Sequence, residues 1–345
     1  MIECIIKEIE TRVAYLNNKT ISSIYFGGGT PSILNKKELQ NILNTIYTNF
    51  TVAEDVEITL ECNPDDLNDS KLVDLKKAGI NRLSIGIQSF DNADLQFMNR
   101  SHNAQEAELC VELATKHGFQ NITIDLIYGL PNQSVEAWEK NLDKMFRLGV
   151  NHFSAYALTI EPKTALKHLI DKKKINPIDD AISVQHFNAL VLLAEKNGFV
   201  QYEISNFGKK NYFSRHNTAY WKRTHYLGIG PSAHSYNGVS RQWNISSNKQ
   251  YIQKVNTKKD CFEIEILTME QQYNEYLFTS LRTIWGVKND AIKSNFGGEI
   301  QTHFLIEIKK WLRKNYVEEQ NGTYNLTKNG KAFADAITSD LFIIA

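Results

Sequence analysis

Residues Ile21 to Ser32 read ISSIYFGGGTPS, a short run of β-branched and aromatic residues that breaks into three glycines, a threonine and a proline. Ile, Tyr and Phe in such a run favour a half-buried strand, and glycines directly after it permit a turn that side chains would strain. The same succession recurs along the first half of the chain. VEITLE (Val56 to Glu61) leads to Asn63-Pro64, ITIDLI (Ile122 to Ile127) to Gly129-Leu130-Pro131, and HFSAYAL (His152 to Leu158) to Glu161-Pro162; RLSIGI (Arg82 to Ile87) is a further strand. Helical periods are expected between them, near Lys36 to Phe50, Ser70 to Ala78, Asp91 to His117 in two pieces, and Ser134 to Leu148. Asn68 and Ser134 are placed as N-caps, Gly79 and Gly149 as stops. This alternation predicts an α/β fold whose Gly- and Pro-marked carboxyl edge is the edge where ligands bind.

Outside that half the pattern changes. Ile2 to Leu16 reads as one helix with no strand before it, Ile182 to Asn197 as another, and Gln201 to Trp243 as packed irregular structure rich in aromatic and polar residues. From Thr268 a run of helices (Glu270 to Ile284, Asp290 to Phe296, Thr302 to Lys314), a hairpin at Asn321-Gly322 and a last helix from Lys328 to Thr338 predict a winged-helix-like unit. The expected division is residues 1–160 as β/α core, 161–265 as the rest of the core with a connecting region, and 266–345 as the mostly helical C-terminal domain. The 345 residues carry 39 Lys and Arg against 39 Asp and Glu, so broad electrostatic binding to nucleic acid or an acidic membrane is not expected. The C-terminal domain is balanced as well, which argues against a DNA-binding wing. Cys4, Cys62, Cys110 and Cys261 lie far apart and read as free thiols of a reducing cytoplasm.

Several residues could carry chemistry. Glu61 ends its strand, Gln88 follows the next and Asp125 lies within a third, so three polar groups converge on one rim beside Gly27-Gly28-Gly29. On its own side-chain chemistry Arg100 reads as a solvated helix end. His216-Asn217 with Tyr220-Trp221 joins an imidazole able to bind iron to two aromatics able to pack on a flat apolar ligand. His234, in the turn Gly228 to His234, reads as structural.

Together with YFGGGTPS (Tyr25 to Ser32), the motifs ECNPD (Glu61 to Asp65), GINRLSIGIQSF (Gly79 to Phe90), IDLIYGLP (Ile124 to Pro131), YEISNF (Tyr202 to Phe207) and LGIGPSAHSY (Leu227 to Tyr236) carry a resemblance. The chain resembles the radical S-adenosylmethionine (SAM) family, in its HemN/HemW group, over nearly its whole length. The resemblance implies a partial (β/α) barrel of the radical SAM type. It also implies that Gly28, Gly29, Thr30, Glu61, Gln88, Arg100 and Asp125 line a SAM site. His216, Asn217, Tyr220 and Trp221 match HNxxYW, which is similar to the HemW signature and favours a haem chaperone serving acceptors such as respiratory enzymes. Alternatives are oxidative decarboxylation of coproporphyrinogen III and an inactive fragment. His216 is the expected axial ligand.

One departure accompanies the resemblance. Family members carry a CxxxCxxC loop whose thiolates hold a [4Fe–4S] cluster, and none of the four cysteines here reproduces that spacing. The resemblance therefore implies a start placed about 30 to 40 residues late, or a shortened chain, in keeping with a barrel that opens on a helix.

Overall fold

A computed structural model describes residues 1–17, 19–162, 165–175 and 179–344. The chain divides into two compact units, one of Met1–Ser22, Lys37–Val56 and Arg215–Ala345, the other of Ser23–Lys36 and Glu57–Ser214.

The second unit is built on a mixed sheet. Its strands are β1 (Ile21–Phe26), β2 (Val52–Cys62), β3 (Arg82–Gln88), β4 (Asn121–Tyr128), β5 (His152–Ala157), β6 (Val200–Gln201) and β7 (Asn206–Gly208), in the order β1-β2-β3-β4-β5-β7-β6. Strands β2 to β5 pair in parallel, whereas β7 runs antiparallel to β5 and β6 antiparallel to β7. Among the described residues the sheet is open, which agrees with the expected partial barrel. Leu60, Leu83, Ile85, Ile124, Leu126 and Phe153 are fully buried, and the runs 82–85 and 122–124 are buried residue after residue, as in strands covered on both faces.

The crossovers are the expected helices, Asp69–Ala78, the pair Asn92–Phe97 and Ala104–Lys116, and Val135–Arg147. Asn68 and Ser134 cap theirs by accepting the backbone N–H of Lys71 and Ala137. Gly79 stops its helix in the left-handed region at φ 104°, and Gly149, at φ 71°, follows the last.

The starts of the central strands carry a buried polar lock. Arg82 opens β3 and lies 3.9 Å from buried Glu57. Its guanidinium donates to Asn121 (3.0 Å), which opens β4, and to Thr123. His152 opens β5, fully buried between Thr123 (3.0 Å) and the Tyr202 hydroxyl (2.7 Å). Burial, with Arg82 nearby, keeps its pKa well below the ordinary histidine value. These groups close on one another at the edge opposite the Gly- and Pro-marked one and so hold strand register, although the Arg82 Nε has no hydrogen-bond partner among the described residues.

In the first unit, the expected Ile2–Leu16 helix is α-helical only over Ile2–Thr11 and then tightens into a 3₁₀ turn, Val13–Leu16, closed by left-handed Asn17. Buried Glu8 on that helix accepts the Gly230 N–H (2.9 Å), the Asn244 amide (2.7 Å) and the Tyr251 hydroxyl (2.6 Å), which fastens the GIGP turn in place. The irregular stretch expected over Gln201 to Trp243 is a correction. It contains strands β6 and β7, the helix Arg215–Trp221, and the hairpin β8 (His234–Tyr236) and β9 (Ser240–Asn244), which pairs onward with β10 (Phe262–Ile266). The Asn237 side chain creates that hairpin by accepting the N–H groups of Val239 (3.2 Å) and Ser240 (2.8 Å).

The C-terminal part packs helices Met269–Leu281, Asn289–Phe296, Gly298–Arg313 and Ala334–Asp340 with a small sheet of β11 (Val287–Lys288), β12 (Val317–Gln320) and β13 (Thr323–Leu326). Asn321 and Gly322, both at positive φ, turn its hairpin as expected. No helix among the described residues is long and apolar enough to cross a membrane.

Trp138 is fully buried beside Tyr128 and His186, and its indole N–H donates to the His186 carbonyl (3.0 Å). Trp138→Ala is expected to cost about 3–5 kcal/mol through the cavity left and the carbonyl unpaired, read as a lower denaturant midpoint.

Candidate active site

The glycine loop after β1 is set by its own chain. The Tyr25 hydroxyl donates to Glu61 Oε1 (2.7 Å) and the Gly28 N–H to Oε2 (2.9 Å), so one carboxylate at the end of β2 ties the strand to its loop. A Cβ on Gly27 would lie 2.3 Å from the Tyr25 ring and 2.8 Å from Glu61, whereas Gly28 and Gly29 are required by φ values of 79° and 85°. Gly27 therefore makes room for Tyr25 rather than for a ligand.

Beside this loop lies a cavity of about 260 Å³. Gly29, Thr30, Glu61, Gln88, Arg100 and Asp125 all line it. Gly28 is absent from the wall; it is exposed, and its N–H is taken by Glu61. Each wall residue is delivered by a local device. The β3–β4 register shifts between Ile85 and Gln88, and Gln88 adopts φ 69°, which ends the strand and re-aims the side chain.

Arg100 is a correction to the solvent reading. The helix Asn92–Phe97 closes with Asn99 at φ 53° and the Arg100 N–H on the Leu95 carbonyl (2.9 Å), and this turn sends Arg100 back to the sheet. There one guanidinium nitrogen donates to the Asn63 side chain (3.1 Å) and to the Gly86 carbonyl (3.0 Å). The Nε is buried and has no hydrogen-bond partner among the described residues.

Asp125 supplies the carboxyl of the opposite wall. The Ser84 hydroxyl donates to it (3.2 Å), and Ser154 is its ladder partner on β5. Burial pushes its pKa up to about 6; the hydroxyls of Ser154 and Ser84 act against that shift and Glu61 adds to it. The site thus combines a guanidinium able to fork onto a carboxylate, a carboxyl able to hold a proton near neutral pH, and exposed backbone in the glycine loop. A ligand with a carboxylate and several polar hydrogens matches that set.

The residues His216, Asn217, Tyr220 and Trp221 stand together on the helix Arg215–Trp221, in the other unit. His216 and Tyr220 share one face at i, i+4 spacing, as do Asn217 and Trp221 on the next. Tyr220 is 42% exposed, packs edge-on against Trp221 with ring centres 5.5 Å apart, and lies 5.9 Å from Tyr226. Arg282 sits over the Trp221 ring at 5.8 Å. His234 is exposed on β8, with its ring 6.5 Å from Trp243.

Residues 5–158 match the radical SAM superfamily and residues 267–333 the HemN C-terminal domain. The heme chaperone HemW of Bacillus subtilis is 32% identical over 336 residues, 96% of this chain and 88% of that protein. The heme chaperone HemW of Lactococcus lactis is 30% identical over 95% of this chain and 86% of its own. The chain belongs to the radical SAM family, in its HemW group. In fold it is similar to the coproporphyrinogen III oxidase HemN of Escherichia coli, with a TM-score of 0.83 and 22% identity over 99% of this chain and 82% of that one.

Radical SAM membership implies SAM and a [4Fe–4S] cluster, and the residues fit these two unequally. The cavity's guanidinium, carboxyls and exposed glycine loop suit the amino-acid and hydroxyl groups of SAM. For the cluster, no three His, Cys, Asp or Glu side chains among the described residues converge as metal ligands. Cys4, Cys62, Cys110 and Cys261 are each buried as free thiols, and burial pushes Cys110 up to about 12 and Cys261 to about 11. Only Cys62 touches the cavity, and its thiol is raised still further. With no such set of side chains converging, the described residues offer no ligand set for the cluster.

Reasoning from the sequence missed Tyr25, Asn63, Ser84 and Gly86 as parts of this HemW-group site. Tyr25 and Asn63 lie inside quoted motifs but were legible only as strand and turn. Ser84 and Gly86 were hidden in RLSIGI, where the alternation with Leu83, Ile85 and Ile87 already placed them together on one face.

The Asp125 shift has a definite sign. A pKa of about 6 against the ordinary 3.8 means that the folded chain keeps a proton the unfolded chain has lost, so stability falls as pH rises through that window. Asp125→Asn removes the loss. Its stability relative to the parent is expected to rise by about 2 kcal/mol between pH 4 and pH 7, measured by denaturant unfolding at each pH.

Proposed function

We propose that this chain is a haem chaperone of the HemW type, which binds haem and passes it to acceptor proteins such as respiratory enzymes, and that its cavity binds SAM. Membership of the HemW group, with similarity over 96% of this chain and 88% of the Bacillus subtilis relative, supports the first part. The observation that carries the reading is the helix Arg215–Trp221, which sets an imidazole one turn from an exposed aromatic ring. Haem needs an axial nitrogen and a flat apolar surface, and His216 with Tyr220 offers both within one helical turn. A porphyrinogen decarboxylase would instead need cationic groups to clamp several propionates.

In the cavity, Arg100 pairs with the SAM carboxylate through its fork, the Gly29–Thr30 backbone approaches the amino end, and Asp125 meets the hydroxyls. Bound SAM supplies a sulfonium activated for carbon–sulfur cleavage. The chain's own residues hold and orient it, Glu61 by keeping the loop in place and Arg100 and Asp125 by direct contact.

The two sites lie on different units, and each has its own test. His216→Ala is expected to weaken haem binding about tenfold or more in a Soret titration while leaving SAM retention in equilibrium dialysis unchanged. Arg100→Ala is expected to do the reverse. Unchanged haem spectra and affinity in His216→Ala would remove that residue as the axial ligand.

A further inference from the structure

Asn63 of the ECNPD motif lines the cavity and touches Arg100. It opens the 3₁₀ turn Pro64–Asp66, in which the Asp66 N–H returns to the Asn63 carbonyl (3.1 Å). That turn ties together two segments of the cavity wall. Asp66 Oδ2 accepts the hydroxyl of buried Ser32 from the GGGTPS loop, and Asp65 accepts the hydroxyl of Ser101, the neighbour of Arg100 (2.8 Å).

The orientation of the Asn63 amide follows from its partners. A guanidinium has donors only, so the group that receives Arg100 Nη2 at 3.1 Å is the amide oxygen. The amide nitrogen is left for Asp66 Oδ2, at 3.4 Å. The same Arg100 nitrogen donates to the Gly86 carbonyl (3.0 Å), so both of its acceptors are neutral. Among the described residues no carboxylate forms an ion pair with Arg100. Asp66 is joined to it through the Asn63 amide, and Glu61 is bonded to Tyr25 and Gly28. An aspartate at position 63 would hold the guanidinium more strongly, because both partners would be charged, but it would also cancel the charge. Asparagine secures the position and leaves the cation intact.

We propose that Asn63 is a positioning residue that sets ligand specificity: its neutral amide helps hold Arg100 against Gly86 and keeps the guanidinium charge for the carboxylate of the ligand. The cavity then favours a sulfonium ligand that carries an amino-acid carboxylate over the same ligand without it. This preference deepens the SAM reading and rests on it, but the hold on Arg100 does not.

The hold is read in the ligand-free chain from the guanidinium nitrogen-15 resonances of Arg100, identified by their loss in Arg100→Gln. Exchange between Nη1 and Nη2 reports rotation of the group. Asn63→Ala removes one of the two bonds and is expected to speed that rotation about tenfold, whereas Asn63→Asp leaves it as slow as in the parent or slower. An unchanged rate in Asn63→Ala would overturn the proposal. The charge is read by equilibrium dialysis with SAM and with decarboxylated SAM. In Asn63→Asp, which keeps the side-chain shape, SAM is expected to bind about tenfold more weakly and decarboxylated SAM as well as before or better. Unchanged SAM binding, or an equal loss of both ligands, would overturn the proposal. In an Arg100→Gln background Asn63→Asp is expected to add no further loss of SAM; a further loss would show direct repulsion of the ligand and would contradict an action through Arg100. A parent chain that binds both ligands equally would instead overturn the SAM reading and with it the preference, while the rotation rates still decide the hold.

Discussion

The candidate cavity depends on the Glu61 carboxylate, which receives the Tyr25 hydroxyl on one oxygen and the Gly28 N–H on the other. Both donors belong to the strand and loop that open on the GGGTP turn, and the acceptor ends the neighbouring strand. Without this bridge, three consecutive glycines would be among the most freely moving residues of the chain. With it, Gly29 and Thr30 stand in the wall of a defined cavity. The bridge engages one acceptor site on each Glu61 oxygen while Gln88, Arg100 and Asp125 share the cavity wall with it.

The cavity and the buried lock at the opposite edge divide the polar residues of the sheet by task. Arg82, Glu57, Thr123, His152 and Tyr202 close on one another at the strand starts. At the strand ends, Arg100 lines the cavity and Asp125 holds a carboxyl displaced toward neutral pH. Groups closed on one another at the strand starts fix register, and the displaced carboxyl lies at the carboxyl edge, where a parallel sheet binds ligands.

Much of this was legible in the sequence because it is local. The strand cores, the Asn68 and Ser134 caps and the Asn321-Gly322 hairpin follow from two- to four-residue patterns, and the convergence of Glu61, Gln88 and Asp125 follows from strand ends alone. What stayed hidden depends on partners distant in sequence. Arg100 reads as a solvated helix end until the left-handed turn at Asn99 sends it back onto Gly86, 14 residues away. The 201–243 stretch reads as irregular because its strands are two to five residues long, too short to show a period. The pairing of Asp125 with Ser154 across neighbouring strands exists only through register, which periodicity cannot supply.

The haem chaperone reading is tested most directly by haem transfer. The chain would be loaded with haem, freed of excess, and mixed with an apo haem protein of distinct Soret band. Passage of the band from chain to acceptor, at a rate above that of free haem released by a protein lacking the Arg215–Trp221 motif, is the predicted result. A chain that retains no haem after removal of the excess, or holds it without transfer, would contradict the account.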